Sequence, residues 1–430
     1  LTWFAGIAWL PWLILILVTF FYFAENTRMQ ILTLPIYKFF KSVLPPMNST
    51  EMEALEAGDV WWESELFQGD PDWQEMLAYP KPELSEEEQA FLDNQTESLC
   101  SMLDDWEIVA RIAQHFPDEP MPVISVVPEP MQPFDGQVIQ VQAIAQRHWR
   151  QGSDIRVATR PVPPAWQGLF DGRAVTGGLR AGEFIAVANR TAEDADGKIA
   201  DPGNGVAQSH AIMGYHEDTL AQIGATTQDS VKMEGYYFGE THDDWAPLAQ
   251  ARASHFAEPG PPATVVPCQR LNPEGAVTKI EVMAMREEWN GFDKYIPRDD
   301  SWPKRVWDWS IPLPYRQGIL LRDMIWLGGQ VPSEPFSNTR ARMLPGDLVG
   351  QTRMTMSYIE DIMRGFNRRA GDLKLMVCYF TCAEGEATTR LFLDTVAECV
   401  GGALPPTTLV AKPQMHSVDN TVEIWGVAQV

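Results

Sequence analysis

The sequence predicts an α+β protein of tandem units, each a mixed sheet with two helices on one face, behind an N-terminal transmembrane helix. Three observations carry this. No charged residue occurs from Leu1 to Ala24. The stretch "DDWEIVARIAQHFPDEP" at Asp104 returns as "DDWAPLAQARASHFAEPG" at Asp243, and self-similarity at about 140 residues means tandem domains rather than a solenoid. Strand-like endings "VIQVQAIA" (Val138 to Ala145), "TKIEVMAM" (Thr278 to Met285) and "VEIWGVAQV" (to Val430) follow at the same interval.

Taken in order, residues 1–24 read as the membrane helix. At about 1.5 Å per residue they reach across a hydrocarbon layer of roughly 30 Å. Trp3, Trp9 and Trp12 cluster near one end and Phe20, Phe21, Tyr22 and Phe23 near the other, as interfacial aromatics do. No basic start or small-residue cleavage site marks a signal peptide. Arg28, Lys38 and Lys41 then place the rest of the chain on the cytoplasmic side of the inner (cytoplasmic) membrane. Within the segment 25–103, residues from about 42 onward are acidic, with Trp61, Trp62 and Trp73 interspersed, and read as an amphipathic, partly helical surface segment.

The tandem units follow as a partial copy over 104–150 and two fuller copies over 151–286 and 287–430. "VAQSHAIMGYHEDTL" from Val206 aligns with "VGQTRMTMSYIEDIM" from Val349, matching Gln208 to Gln351 and Tyr215 to Tyr358. Met356, Ile359, Met363 and Phe366 recur at helical spacing and give one apolar face. A strand, a second helix and a Pro-Pro turn come next, so the order is strands, helix, strand, helix, strands. The first copy lacks the front half of this order. It is expected to borrow partners from another copy or chain, or to be poorly ordered.

Composition narrows function. Fifty-eight acidic residues against 33 basic ones give a net charge of −25, which opposes binding to phosphate backbones, so no nucleic-acid partner is expected. Five cysteines make a sparse, odd set that suits free thiols in a reducing compartment. Cys378 and Cys382 share a strand face too far apart for one ion, and no metal or other cofactor is expected. No Walker loop, dinucleotide glycine pattern or Ser-His-Asp order occurs, and "GGLRAG" at Gly177 reads as turn chemistry before a strand. His115 and His255 occupy matching places and suggest packing at a helix end, whereas His216 falls in an apolar stripe.

The element order, with "MIWLGGQVP" at Met324, "GDLVGQTR" at Gly346, "PPTTLV" and the closing "VEIWGVA", resembles the reactive-intermediate deaminase (RidA/YjgF-like) family. The resemblance implies chorismate-mutase-like folds that assemble as trimers, with small-molecule clefts between neighbours. It also implies a homo-oligomer, or an intramolecular pseudo-trimer built from the tandem copies. Active members hydrolyse imines such as 2-iminobutanoate and 2-iminopropanoate, using an arginine on the substrate carboxylate and a glutamate that positions water. The arginine position falls on Val123, Ala263 and Thr407, so the arginine is absent from every copy. The glutamate position falls on Gln142, Glu281 and Trp425, leaving Glu281 as the candidate catalytic residue. The ligand-binding candidates are Gly328, Gly329 and Gln330, and Arg190 as a replacement cation. Separately, "AGDVWWESELFQGDPDW" and "EEEQAFLD", with the preceding apolar segment, resemble the N-terminal region of membrane-associated bacterial acyl-CoA dehydrogenases of β-oxidation. The flavin-binding body of that family has no counterpart here. Three readings follow: a membrane-tethered small-metabolite binder with impaired imine hydrolysis, a non-catalytic trimer-like scaffold, and an acyl-CoA dehydrogenase component lacking its flavin domain.

Overall fold

The computed structural model describes residues 104–117, 120–137, 139–145, 155–286, 306–336, 341–382, 385–417 and 419–430, with short stretches of the first 43 residues and Ser85. The chain divides into two units, Leu1–Gln89 and Ala90–Val430. In the first, a π-helical turn (Met29–Thr33) precedes helix α1 (Leu34–Val43). The expected membrane span over residues 1–24 and the dehydrogenase-like segment lie for the most part outside the described residues. Among those described, no helix is long and apolar enough to cross a membrane.

The second unit is mixed α+β with two sheets. After helix α2 (Asp105–Ala113) come β1 (Ile155–Arg160), β2 (Val175–Ala181), β3 (Phe184–Arg190), α3 (Gly205–Gln222), β4 (Ser230–Phe238), α4 (His242–Ala253), β5 (Ala263–Cys268) and β6 (Thr278–Met285). They form a first lobe with sheet order β1-β2-β3-β6-β4-β5. The second lobe comprises β7 (Gly318–Leu321), β8 (Met324–Leu327), α5 (Leu348–Gly365), β9 (Leu373–Thr381), α6 (Glu386–Val400), β10 (Thr407–Lys412) and β11 (Val422–Gln429), ordered β7-β8-β11-β9-β10. Apart from β1, the topologies coincide: β4 and β9 each pair in parallel with the next strand and antiparallel with the last. Both last strands show the same register shift, between the partners Ser230 and Lys232 in one lobe and between Val427 and Ala428 in the other.

Matching side chains build matching elements. Asn204 and Asp347 cap α3 and α5 by accepting from the amides of Ala207 and Gly350, satisfying donors that a helix start leaves free. Gln208 donates to the carbonyls of Asp201 and Gly275 and accepts from the Val277 amide. Gln351 repeats this on Met343, Asp419 and Thr421, so each helix is stapled to the loop before the last strand. Of the glycines expected to form a turn before a strand, Gly182 does so between β2 and β3 with φ 63°, whereas Gly177 and Gly178 lie inside β2. A Cβ on Gly178 would stand 2.6 Å from Thr219, so the bare backbone lets α3 press onto the sheet. Each pair of helices covers one face of its sheet, with cores around Ile212, Met213 and Val282 and around Ile359, Met363 and Ile424. The opposite faces pack on each other through Val266, Met283, Trp326, Val377 and Trp425.

Among its described residues, the partial first copy builds no sheet. Its helix α2 buries Trp106, Val109, Ala110 and Ala113 against Met121, Phe170 and Val175. Arg173 of the first lobe donates to the carbonyls of Ala113 and Phe116 and so caps the helix end. Residues 121–134 then run as a strap across both lobes, bonding to Thr176, Asn189 and Lys279 on one and to Lys412 and Thr389 on the other. The ending expected as a strand is not one: residues 139–145 are exposed and unassigned, with Val141 73% exposed. Without the copy's front half there is no sheet for this segment to close.

Candidate functional site

Two clefts arise, one where the strap meets the end of β3 and one where the edge strand β5 meets the segment after β8. In cleft I, the strap residues Ser125 and Val126 face Asn189. The Asn189 amide nitrogen donates to the Val126 carbonyl at 2.9 Å, and its backbone N–H donates to Ser125 Oγ at 3.0 Å. In cleft II, β5 faces Gly328 and Gly329, and the Gly329 N–H donates to the Ala263 carbonyl at 2.9 Å. Isolated bridges flank both: Glu193 with Ile199 in cleft I, Ser333 with Arg342 in cleft II.

Cleft I is filled by fixed charges. Lys279 on β6 pairs with Asp105 of α2 and donates to the Val126 carbonyl at 2.6 Å. Arg160 on β1 pairs with Glu193 at 3.2 Å, lies over the Trp106 ring at 4.2 Å, and shares Glu193 with the Trp106 N–H at 3.0 Å. Burial pushes the Glu193 carboxyl up and the Arg160 guanidinium down despite their pairing. Desolvation therefore outweighs attraction, and this pair fixes geometry rather than adding stability. Burial also raises the Asp104 carboxyl. Between these groups lies a cavity of about 20 Å³ lined by Asp105, Trp106, Arg160, Asn189, Asn272 and Lys279. That is room for a single water.

Cleft II holds a proton-carrying relay. His416 Nε2 donates to Glu423 at 2.8 Å, while the Tyr237 hydroxyl and His416 Nδ1 lie 3.1 Å apart. The hydroxyl is the donor when Nδ1 carries the lone pair. A Cβ on Gly329 would sit 2.0 Å from Glu423 Oε1 and 2.9 Å from Thr264 Oγ1. Only a bare backbone fits beneath this carboxylate. Lys232 donates to Thr264 Oγ1 at 2.5 Å and to the Leu327 carbonyl at 3.1 Å, and lies 4.1 Å over the Trp425 ring. Burial pushes Lys232 down to about 7, with Glu234 and Glu423 pulling the other way.

Glu281 lies between the clefts, on the face of β6 toward the other sheet. Its Cα partner on β4 is Glu234, and the corresponding partners in the second lobe are Trp425 and Val377. Glu281 and Trp425 thus hold equivalent register positions. Burial, then the neighbouring Glu234 charge, raises the Glu281 carboxyl to about 8, with a hydrogen bond from Ser125 opposing. Glu234 is itself raised by burial, although Lys232 and a 3.0 Å bond from the Tyr379 hydroxyl pull it back. The raised carboxyl favours holding its proton near neutral pH while one oxygen accepts from Ser125.

The remaining sequence candidates do not converge with Glu281. Arg190 stacks 4.0 Å over the Tyr215 ring and donates to the Glu193 carbonyl, and burial pushes it down to about 10. Its charge is committed to α3 rather than presented to a cleft. Gln330 is fully buried, donating to Gln317 Oε1 at 2.7 Å and pairing through its backbone with Ile424. His216 accepts its place in the core by bonding the Ile280 carbonyl at 2.9 Å, and burial drives it down to about 3. Residues that sequence reasoning passed over, Lys279, Asp105, Arg160, Glu193, His416, Glu423 and Tyr237, supply most of the chemistry in both clefts. Their one signal was position: Lys279 and Glu423 stand at corresponding places near the starts of the two last strands.

No family model matches the chain. Solved structures are similar over parts of it. A chorismatase is 13% identical, with 59% of this chain and 76% of that one covered at a TM-score of 0.41. TdcF of E. coli with bound serine is 22% identical over 32% of this chain and 99% of its own, at 0.26. RidA from the Antarctic bacterium Psychrobacter sp. PAMC 21119 is 18% identical over 30% and 98%, at 0.25.

Proposed function

We propose that this chain is a tandem RidA-like protein that binds a small metabolite in its inter-copy clefts and hydrolyses imines weakly at most. The observation that favours this reading is the polar lining of cleft I, where Lys279, Arg160 and Asn189 surround a cavity with room for one water, so that a metabolite enters by displacing the strap or α2. Impaired hydrolysis follows from two features. The positions where the family resemblance expects an arginine carry Val123, Ala263 and Thr407. Glu281, raised to about 8, holds a proton where a base for water is needed. Tethering through residues 1–24, with the lobes on the cytoplasmic side of the inner membrane, rests on the sequence of that segment, as does assembly into a homo-oligomer or pseudo-trimer on the family resemblance.

One observation favours the scaffold reading: in cleft II the groups around Gly329 are bonded to one another, and Gln330 is sealed. A dehydrogenase component rests on residues 1–103 alone, and bound flavin absorbance in purified protein is its test. For the leading reading, the full chain is assayed for hydrolysis of an imine generated in situ by an amino-acid oxidase, beside Glu281→Ala and Lys279→Ala. Slow acceleration weakened by Lys279→Ala supports ligand capture in cleft I. Acceleration lost only in Glu281→Ala assigns a true catalytic glutamate. No acceleration, with no thermal shift from any small carboxylate or amino acid, leaves the scaffold.

A further inference from the structure

The first lobe carries a histidine pair outside both clefts. His210 and Glu217 stand two turns apart on one face of α3, and His255 follows the end of α4. His255 Nδ1 lies 2.8 Å from Glu217 Oε1, and its Nε2 lies 3.0 Å from His210 Nδ1. A carboxylate accepts, so Nδ1 of His255 carries the hydrogen and Nε2 carries the lone pair. The His255 backbone is held on both sides: its N–H donates to the Arg252 carbonyl, and its carbonyl accepts from Thr227 Oγ1 at 2.9 Å. His210 is exposed.

We propose that His210 and His255 form a surface site for a divalent transition metal of the Cu2+ or Ni2+ class, with Glu217 orienting His255 from behind. Two imidazole nitrogens 3.0 Å apart have the separation of cis ligands with bonds of about 2.0–2.1 Å, an angle near 90° at the metal. That angle suits tetragonal Cu2+ and Ni2+ better than tetrahedral Zn2+, and Cu2+ stands highest in intrinsic affinity. The metal replaces the hydrogen now shared between the rings. That proton moves from His210 Nδ1 to the solvent-facing Nε2, so each ring stays neutral with one lone pair, and both rings turn to bring those lone pairs onto the ion. A carboxylate behind a ligating histidine fixes its tautomer and raises its basicity. Among the described residues no three His, Cys, Asp or Glu side chains converge on one point, so water completes the coordination.

The second lobe supplies an internal control. Arg353 is the residue aligned with His210 in the repeat, and it reaches across to Glu398 of α6 in an ordinary ion pair at 2.9 Å. One metal per chain is therefore expected. The test titrates the metal-stripped full chain with CuCl2 and NiCl2, reading stoichiometry by calorimetry and bound Cu2+ by electron paramagnetic resonance. The expected result is one saturable site whose spectrum shows two imidazole nitrogens. His210→Ala and His255→Ala should each abolish it, and Glu217→Gln should weaken it about 10–100-fold, the usual effect of losing an orienting partner. Absence of saturable binding, or a two-nitrogen signal that survives in His210→Ala, overturns the proposal. His210 is exposed, so its variant keeps the fold and the outcome stays readable.

Discussion

The two clefts occupy equivalent places and are closed by different chemistry. Cleft I meets a helix and strap from outside the lobes, and holds them with charged groups: Lys279 pairs with Asp105, and the Arg160–Glu193 pair grips Trp106. Cleft II joins two complete lobes, and the place corresponding to Lys279 carries Glu423, bonded to a histidine that passes the contact on to Tyr237. Where a partner is incomplete, the chain uses ion pairs with geometric reach. Where two full sheets meet, it uses a hydrogen-bond chain through a histidine, beside a bare glycine. One topology thus tolerates opposite charge at the same register position, provided the partner across the cleft changes with it.

The largest expected break is Trp106→Ala. This ring is 4% exposed and anchors α2, stacks under Arg160 and donates to Glu193. Its loss should cost about 3–5 kcal/mol, read by denaturant unfolding, and should expose residues 104–134 to protease while leaving cleft II intact. Proteolysis that spreads equally through both lobes would show that the clefts are not separable. Next comes His416→Ala, which strands the buried Glu423 carboxylate and the Tyr237 hydroxyl and should cost about 1–3 kcal/mol. Asn272→Ala, at the corresponding loop position in cleft I, should cost clearly less. Equal losses would remove the contrast between a relay and fixed ion pairs. Gly329→Ala drives a methyl onto Glu423 and should cost about 1–3 kcal/mol by overpacking, although alanine is a better strand residue elsewhere.

The last prediction concerns pH. Glu281 is raised from its ordinary 4.5 to about 8, so across that window the folded chain holds a proton that the unfolded chain has released. Stability should fall as pH rises through the window and level off above it. The slope stays below the roughly 1.4 kcal/mol per pH unit that one fully shifted group sets. Lys232, pushed down to about 7, acts oppositely from about pH 7 upward, because its unfolded form then binds the extra proton. Glu281→Gln should therefore flatten the decline between pH 5 and 7 in thermal melts. An unchanged slope would mean that Glu234 holds the shared proton.

The repeat made the lobes legible. Gln208 and Gln351 recur because both staple a helix to the same loop, and a recurrent structural task leaves a recurrent residue. The clefts were legible only in outline. Each draws on segments far apart in the chain, as Tyr237 and His416 are, and corresponding positions carry unlike residues, Asn272 against His416 and Lys279 against Glu423. Nothing in spacing reveals such partners. Arg190 was a reasonable cation to nominate, yet Tyr215, one α3 face away, captures it. The segment at 139–145 alternates as a strand should, but alternation cannot supply the missing neighbour.

The strap also sets an order of events. Glu129 ends on Lys412, 283 residues later, and Pro133 on Thr389, 256 residues later. A chain made from its N-terminus exposes the strap long before its second anchor exists. The first lobe can fold and receive α2 while the second is still being synthesised, but the strap cannot be fastened at both ends until β10 is made. Contacts closing loops of this length form late and slowly. The two lobes are therefore tied together last by a segment that is made before either of them.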